Sequence, residues 1–281
     1  MHAHSGSSIS AAPFAGHAML AHLDALHAIA GLLVGFLVGL TGVGGGSLMT
    51  PVLVLLFGIS PTTAVGTDLL FASTTKIAGS LVHGWRASVD WLIVRRLATG
   101  SVPAAIMTLL VMSGVGPLPR AASHTMMVIL GVMLIVTAVA TLFQKQLAIL
   151  AKRSERRSED RDYRPKALPT VALGVALGVA VTVSSVGAGA IGVTALLMLY
   201  PALRVSRIVG SDIAHAVPLT LVAGFGHWVI GDVNPVLLVN LLIGSIPGVV
   251  IGSLLSTRSP DHVLRPLLAV VLLISGYKLI G

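Results

Sequence analysis

The 281-residue sequence has no cysteine, which excludes disulfides, thiolate metal sites, iron–sulfur clusters and cysteine nucleophiles. Redox compartment is left open. Charge is scarce: only 10% of residues are Asp, Glu, Lys or Arg, and 12 of those 28 fall in one 23-residue stretch, Gln144 to Lys166. A soluble enzyme, a nucleic-acid binder and a disordered chain all need more polar surface than the remainder supplies. No ATP-binding motif is present. The first 25 residues contain no Lys or Arg and so lack the basic opening of a secretory signal. They read as a short extramembrane segment, in which the irregular spacing of His2, His4, His17 and His22 fits a solvated tail better than a metal site.

What is abundant is apolar sequence. Hydrophobic residues make up 55% of the chain, and the mean hydropathy is +0.95. These values belong to an integral membrane protein. The formal net charge of +8 resembles a nucleic-acid signature, but half of it sits in the stretch from Gln144 to Lys166, with eight Lys/Arg against four Asp/Glu. A basic loop between apolar segments is a topology signal, and it is expected in the cytoplasm.

Apolar segments run over about 26–57, 62–84, 97–115 and 121–143, and then over about 168–201, 206–230, 235–256 and 262–280. Most approach the ~20 residues needed to cross ~30 Å of hydrocarbon. The first segment of each set is too long for one helix, too short for two crossings, and interrupted by glycine.

The two sets are repeats at an offset of 144. Gly66–Leu70 (GTDLL) falls on Gly210–Ala214 (GSDIA), His83 on His227, and Gly100–Ala104 (GSVPA) on Gly244–Gly248 (GSIPG). With a one-residue shift, Thr41–Gly46 (TGVGGG) falls on Ser184–Gly189 (SSVGAG). Basic residues alternate oppositely: none near Gly58–Pro61 but Arg86, Arg95 and Arg96 in the next loop, against Arg204 and Arg207 and then none at Gly231–Pro235. Equivalent loops therefore face opposite sides, which makes the repeats inverted.

The expected fold is an all-α polytopic membrane protein of two inverted repeats, each with a glycine-broken, re-entrant first segment plus three transmembrane helices. That gives six full crossings and two returning segments. The expected layout is an N-terminal tail (1–25), a first membrane repeat (26–143), a charged cytoplasmic loop (144–166) and a second membrane repeat (167–281), multi-pass in the inner (cytoplasmic) membrane. Returning segments need burial in protein or a wet cavity, and this points to transport.

Gly31, Gly35 and Gly39, like Gly244, Gly248 and Gly252, form a smooth helical face for close packing. Gly42, Gly44, Gly45 and Gly46 differ, since glycines this dense, each costing ~1 kcal/mol in a helix, predict a break. After a break the next helix starts with unpaired N–H groups and a partial positive charge, which suits an anion. Ser47 and Thr50, with Ser184, Ser185 and Thr194 in the other half, would add hydroxyl donors. The two breaks are expected to meet near the midplane around a small, oxygen-rich anion. No Lys follows the glycines and no strand pattern precedes them, so a phosphate-binding P-loop is not indicated.

Ser60-Pro61 makes a good helix start, which puts Asp68 ~12 Å along the axis, near the bilayer centre, with Asp212 its counterpart from the opposite face. Two readings stand for this pair: a functional intramembrane pair, or carboxyls that only secure backbone at a break. On the first reading a proton on Asp68 or Asp212 would couple anion movement to proton movement, with His215, one turn from Asp212, as proton partner. Lys76 has Thr220 at its matching position. It is expected to snorkel to the headgroups or, on a sharper reading, to attract anions at the inner mouth. His83 and His227 are expected at the interface, and Trp85, Trp91 and Trp228 in the interfacial belt. No His, Asp and Glu set has metal-ligand spacing, and no cofactor is expected.

These residues resemble the TauE/SafE sulfite-exporter family. The resemblance rests on Gly39–Pro51 (GLTGVGGGSLMTP), Pro61–Leu70 (PTTAVGTDLL), His83-Gly84 with Asp90 shortly after, the GSVPA turn at Gly100, and the same order in the second half. It implies a secondary transporter exporting small sulfur-containing anions such as sulfite or organosulfonates, with the lipid bilayer as surroundings and a homo-oligomer as one possible assembly. Carried over to this chain, the glycine-rich segments are Gly42 through Ser47 and Ser184 through Gly189, including Gly187 and Gly189; Ala188 and Ala190 stand where the first motif has glycine. The second hypothesis is an uncoupled anion channel, which would need no titratable pair at the midplane. An intramembrane hydrolase using Ser80 and His83 lacks a strained nucleophile turn and an oxyanion arrangement, so no enzyme is expected.

Overall fold

The computed structural model describes residues 24–41, 46–83, 89–115, 120–155, 166–255 and 261–281. The first half holds α1 (Ala25–Thr41), α2 (Gly46–Leu55), α3 (Pro61–His83), α4 (Trp91–Val115) and α5 (Arg120–Glu155). The second holds α6 (Ala167–Ser184), α7 (Ala190–Leu199), α8 (Val205–Ile230), α9 (Pro235–Leu255) and α10 (Asp261–Ile280). No strand occurs among the described residues.

Side chains are distributed as lipid requires. Leu33, Met107, Phe225 and Val229 face outward, while Thr67, Asp68, Ser101, Asp212, His215 and His227 are buried. Among the described residues five helices, α4, α5, α6, α8 and α9, are long and apolar enough to cross a membrane. The chain is a multi-pass membrane protein. The set differs from the six full crossings expected, because α6 joins it and α3 and α10 do not. In α3 the hydropathy is diluted by Asp68, Lys76 and several Thr and Ser residues.

Glycine sets the helix pairing. Along α1 and α9, Gly31 meets Leu241, Gly35 meets Ser245 and Gly39 meets Val249, and Gly244, Gly248 and Gly252 return the contact on Ala28, Leu32 and Phe36. Both series ascend together, so α1 and α9 run parallel. A Cβ at Gly35 would stand 2.8 Å from the Ser245 Cα. The packing face expected of these six glycines is present. In α4 and α6, Gly174 meets Leu97 and Gly178 meets Ser101, again in parallel. By contrast α3 and α8 run antiparallel, with Gly66 beside His227 and Leu70 beside Gly224. The α5–α10 pair meets at Gly131 and Gly276. Exchanging α1–α5 for α6–α10 returns most of the helix neighbours, α1–α9 with α4–α6 and α3–α9 with α4–α8 among them.

Two local expectations change. Gly100–Ala104 and Gly244–Gly248 are not turns but lie inside α4 and α9, with Pro103 and Pro247 within the helices; Pro is tolerated in a membrane helix where neighbours satisfy the freed backbone. The stretch from Gln144, expected as loop, begins as a continuation of α5 to Glu155. Gln144 is buried, and its Oε1 accepts a hydrogen bond from Arg265 Nη1 of α10 at 3.1 Å.

Gly248→Val is expected to force α1 and α9 apart, destabilising the protein by about 1–3 kcal/mol as overpacking does. Gly114→Ala, where nothing lies within 4 Å of the added Cβ, is expected to leave the melting temperature in detergent nearly unchanged. Equal melting of the two variants would contradict the packing argument.

Candidate functional site

The second-half break is well defined. α6 ends at Ser184, and Ser185 adopts a left-handed φ of 57° with its N–H donating to Val181 O at 2.7 Å. Gly187 and Gly189 follow at φ 123° and 118°, conformations that a Cβ disfavours. Ser184 Oγ accepts from Val186 N at 3.2 Å and donates to Ala180 O at 2.6 Å, so it closes the break from within. α7 restarts at Ala190, with Gly192 N–H on Gly187 O and Val193 N–H on Gly189 O. Its leading N–H groups have no partner inside the helix. α7 then returns alongside α6: the Tyr200 hydroxyl, just past its end, bonds Thr170 Oγ1 and donates to Lys166 O at 3.2 Å, at the start of α6.

In the first half, Gly42, Gly44 and Gly45 lie outside the described residues, as does the Ser47 side chain; Gly46 opens α2. The Ser60-Pro61 start is as expected, with Ser60 Oγ accepting from Thr63 N at 3.4 Å.

Asp68 is buried on α3. Its Oδ2 accepts from Thr50 N at 3.2 Å and from Thr50 Oγ1, and the Ser185 hydroxyl faces the same carboxyl. Asp212, buried on α8, lies over the start of α7: the Gly189 N–H faces it, and any Cβ on Gly192 would overlap its Oδ1. Neither Asp212 oxygen, nor Asp68 Oδ1, nor Ser185 Oγ has a hydrogen-bond partner of good geometry. The break therefore bridges the two carboxyls, with Ser185 toward one and Gly189 toward the other.

Lys76 is the basic side chain of this region. It is 7% exposed and lies within electrostatic reach of Asp68, Asp212 and His215. The snorkelling reading is thereby corrected: α3 continues for seven residues beyond Lys76, and two carboxyls in the interior attract the ammonium more strongly than a distant headgroup. His215 is also buried, with Nε2 2.7 Å from Ser101 Oγ of α4 and Nδ1 without a partner. α3 and α8 thus bring Asp68, Lys76, Asp212 and His215 together, where Thr50, Ser185 and Gly189 meet them.

Other expected residues lie elsewhere. Thr194 donates through Oγ1 to Ala140 O of α5 at 3.3 Å, away from the carboxyls. His227, expected at the interface, is fully buried: Nε2 lies 2.9 Å from Thr182 O, where α6 runs out of its own donors, and Nδ1 lies 3.3 Å from Asp232. Trp91 and Trp228 are about half exposed near helix ends; Trp85 and the His83 side chain lie outside the described residues. Sequence reasoning overlooked Ser101 and its counterpart Ser245, whose buried Oγ has no partner. Their signal was the Ser shared by GSVPA and GSIPG. Asp90, quoted in the sequence motif without a role, caps α4 through Leu92 and Ile93 and pairs with Arg207 of α8 at 3.1 Å. Among the described residues no group of three or more His, Cys, Asp or Glu could hold a metal.

Comparison with known proteins agrees with this architecture. The family model described as sulfite exporter TauE/SafE matches residues 27–279. The probable membrane transporter protein YjnA of Bacillus subtilis is 38% identical over 250 residues, 89% of this chain and 97% of that protein. The probable membrane transporter protein YdhB of the same organism is 27% identical over 254 residues, 88% of this chain and 96% of that protein. No solved structure matches the chain. A helical membrane protein matched to this family over all but its tail, and to transporters along nearly their full length, is itself a membrane transporter and belongs to the TauE/SafE sulfite exporter family.

Proposed function

We propose that this chain is a secondary transporter that exports small sulfur-containing anions, sulfite or organosulfonates, across the cytoplasmic membrane, with protons taking part. The observation that carries the proposal is Lys76, a buried basic side chain within electrostatic reach of two buried carboxyls beside a helix break. A buried charge is costly unless it is paired, and such residues within a membrane mark pathways for ions and substrates. The break adds helix-start N–H groups, and these with Lys76 suit a compact oxyanion. The family's description as sulfite exporters supports the choice of sulfite-like anions.

The substrate region on this reading comprises Gly42, Gly44, Gly45, Gly46, Ser47 and Thr50 from the first half. From the second half it takes Ser185, Gly187 and Gly189, with Ser184 shaping the turn. Asp68 and Asp212 occupy donors that an anion would use, so protonation of either carboxyl would release them. That links substrate binding to protons and favours a coupled transporter over an open channel. The antiparallel α3 and α8, and the exchange symmetry of the helix neighbours, support inverted repeats spanning 26–143 and 167–281. The return of α7 along α6 supports a re-entrant first segment. On this arrangement the tail before residue 26 lies outside and 144–166 lies in the cytoplasm.

Purified protein is expected to be stabilised against heat by at least one of sulfite, thiosulfate, sulfate, sulfoacetate and taurine, and Lys76→Met is expected to abolish that shift. If none of the five raises the melting temperature, the substrate class is wrong. Asp68→Asn and Asp212→Asn are each expected to slow anion flux in liposomes and to alter its pH dependence. Normal rates with unaltered pH profiles in both would remove the proton role.

A further inference from the structure

The charged groups in the interior are few enough to count. α3 contributes Asp68 and Lys76, and α8 contributes Asp212 and His215. The elements around them add none: α2, α6, α7 and α9 contain no ionisable residue, and neither do residues 42–45. The His27 of α1 sits in its first turn beside Asp24, at 2.7 Å. Arg95 and Arg96 lie in the second turn of α4, and Asp90 before it is paired with Arg207. The charges of α5 and α10 lie toward their ends, with 125–143 and 266–276 free of them. His227 is held apart by Thr182 and Asp232.

Resting on the transport reading above, we propose that this cluster stays neutral throughout its cycle, so that an anion crosses with one proton for each of its negative charges and no net charge moves. The empty site holds two carboxyls and one ammonium, and it is neutral when one carboxyl carries a proton. A monoanion uses up the Lys76 charge, so the second carboxyl must be protonated as well: one proton enters with one negative charge. A dianion leaves one charge over, and His215 is placed to take the further proton, since Nδ1 is buried without a partner. Asp68 Oδ1 and both Asp212 oxygens are likewise unpartnered and can bear protons. A protonated carboxyl also ceases to compete for the Thr50 and Gly189 donors and offers its own O–H to the anion.

The test uses the full-length protein in liposomes, with valinomycin and potassium gradients setting the potential and buffers setting the pH difference. The probes are sulfite, methanesulfonate as a fixed monoanion and sulfoacetate as a dianion. An imposed pH step is expected to drive accumulation of about tenfold per pH unit for the monoanion and about a hundredfold for the dianion, as proton linkage requires. An imposed potential at equal pH is expected to drive none. Accumulation that follows the potential would overturn the neutrality rule while leaving the protein a transporter. Absence of saturable flux for all three probes would overturn both. The Asp68→Asn/Asp212→Asn double variant, checked for monodispersity, provides a second readout. Its Lys76 is balanced directly by a monoanion, so methanesulfonate binding should lose its pH dependence; retained pH dependence would count against the count of charges.

Discussion

A membrane interior does not solvate charge, and the centre of this protein is organised around that constraint. Lys76 can stay buried because Asp68 and Asp212 attract it, and the carboxyls can stay buried because Lys76 and the Thr50 and Gly189 donors offset their burial. Each group is tolerable only in the presence of the others. The carboxyls are supplied by the antiparallel pair α3 and α8 at the same depth from each helix start, because Asp68 and Asp212 occupy matching places in the two halves.

The glycines divide into two kinds. Those on α1, α6 and α9, with Gly100 of α4, remove side chains so that backbones approach, a packing role in which a spacing of four residues places them on one face. Gly187 and Gly189 instead supply backbone angles that other residues disfavour, and so allow a helix to stop inside the protein and restart. The first kind holds the frame rigid. The second opens the gap that the carboxyls face.

Much of this was legible in the sequence. The 144-residue offset, the density of glycine and the Ser60-Pro61 helix start are local patterns, and they located the packing faces, the second-half break and the place of Asp68 along α3 without knowledge of any contact. Facing was less legible. Thr194 occupies the place that matches Thr50 but turns toward α5, because a linear offset does not encode the rotation of a short helix about its axis. Lys76 was misplaced for a related reason: distance to the membrane edge was readable, whereas the attraction of Asp212, 136 positions away in the chain, was not. His227 was misread because its partner is the last turn of another helix.

The parallel pairs α1–α9 and α4–α6 join the opening helix of each half to the other half's penultimate helix through backbone-to-backbone contact. Shearing such a seam would drive a carbonyl or a side chain into the slot that a missing Cβ leaves. A rigid-body motion that kept both seams intact would therefore carry parts of both halves together. Neither half stands free of the other across these seams.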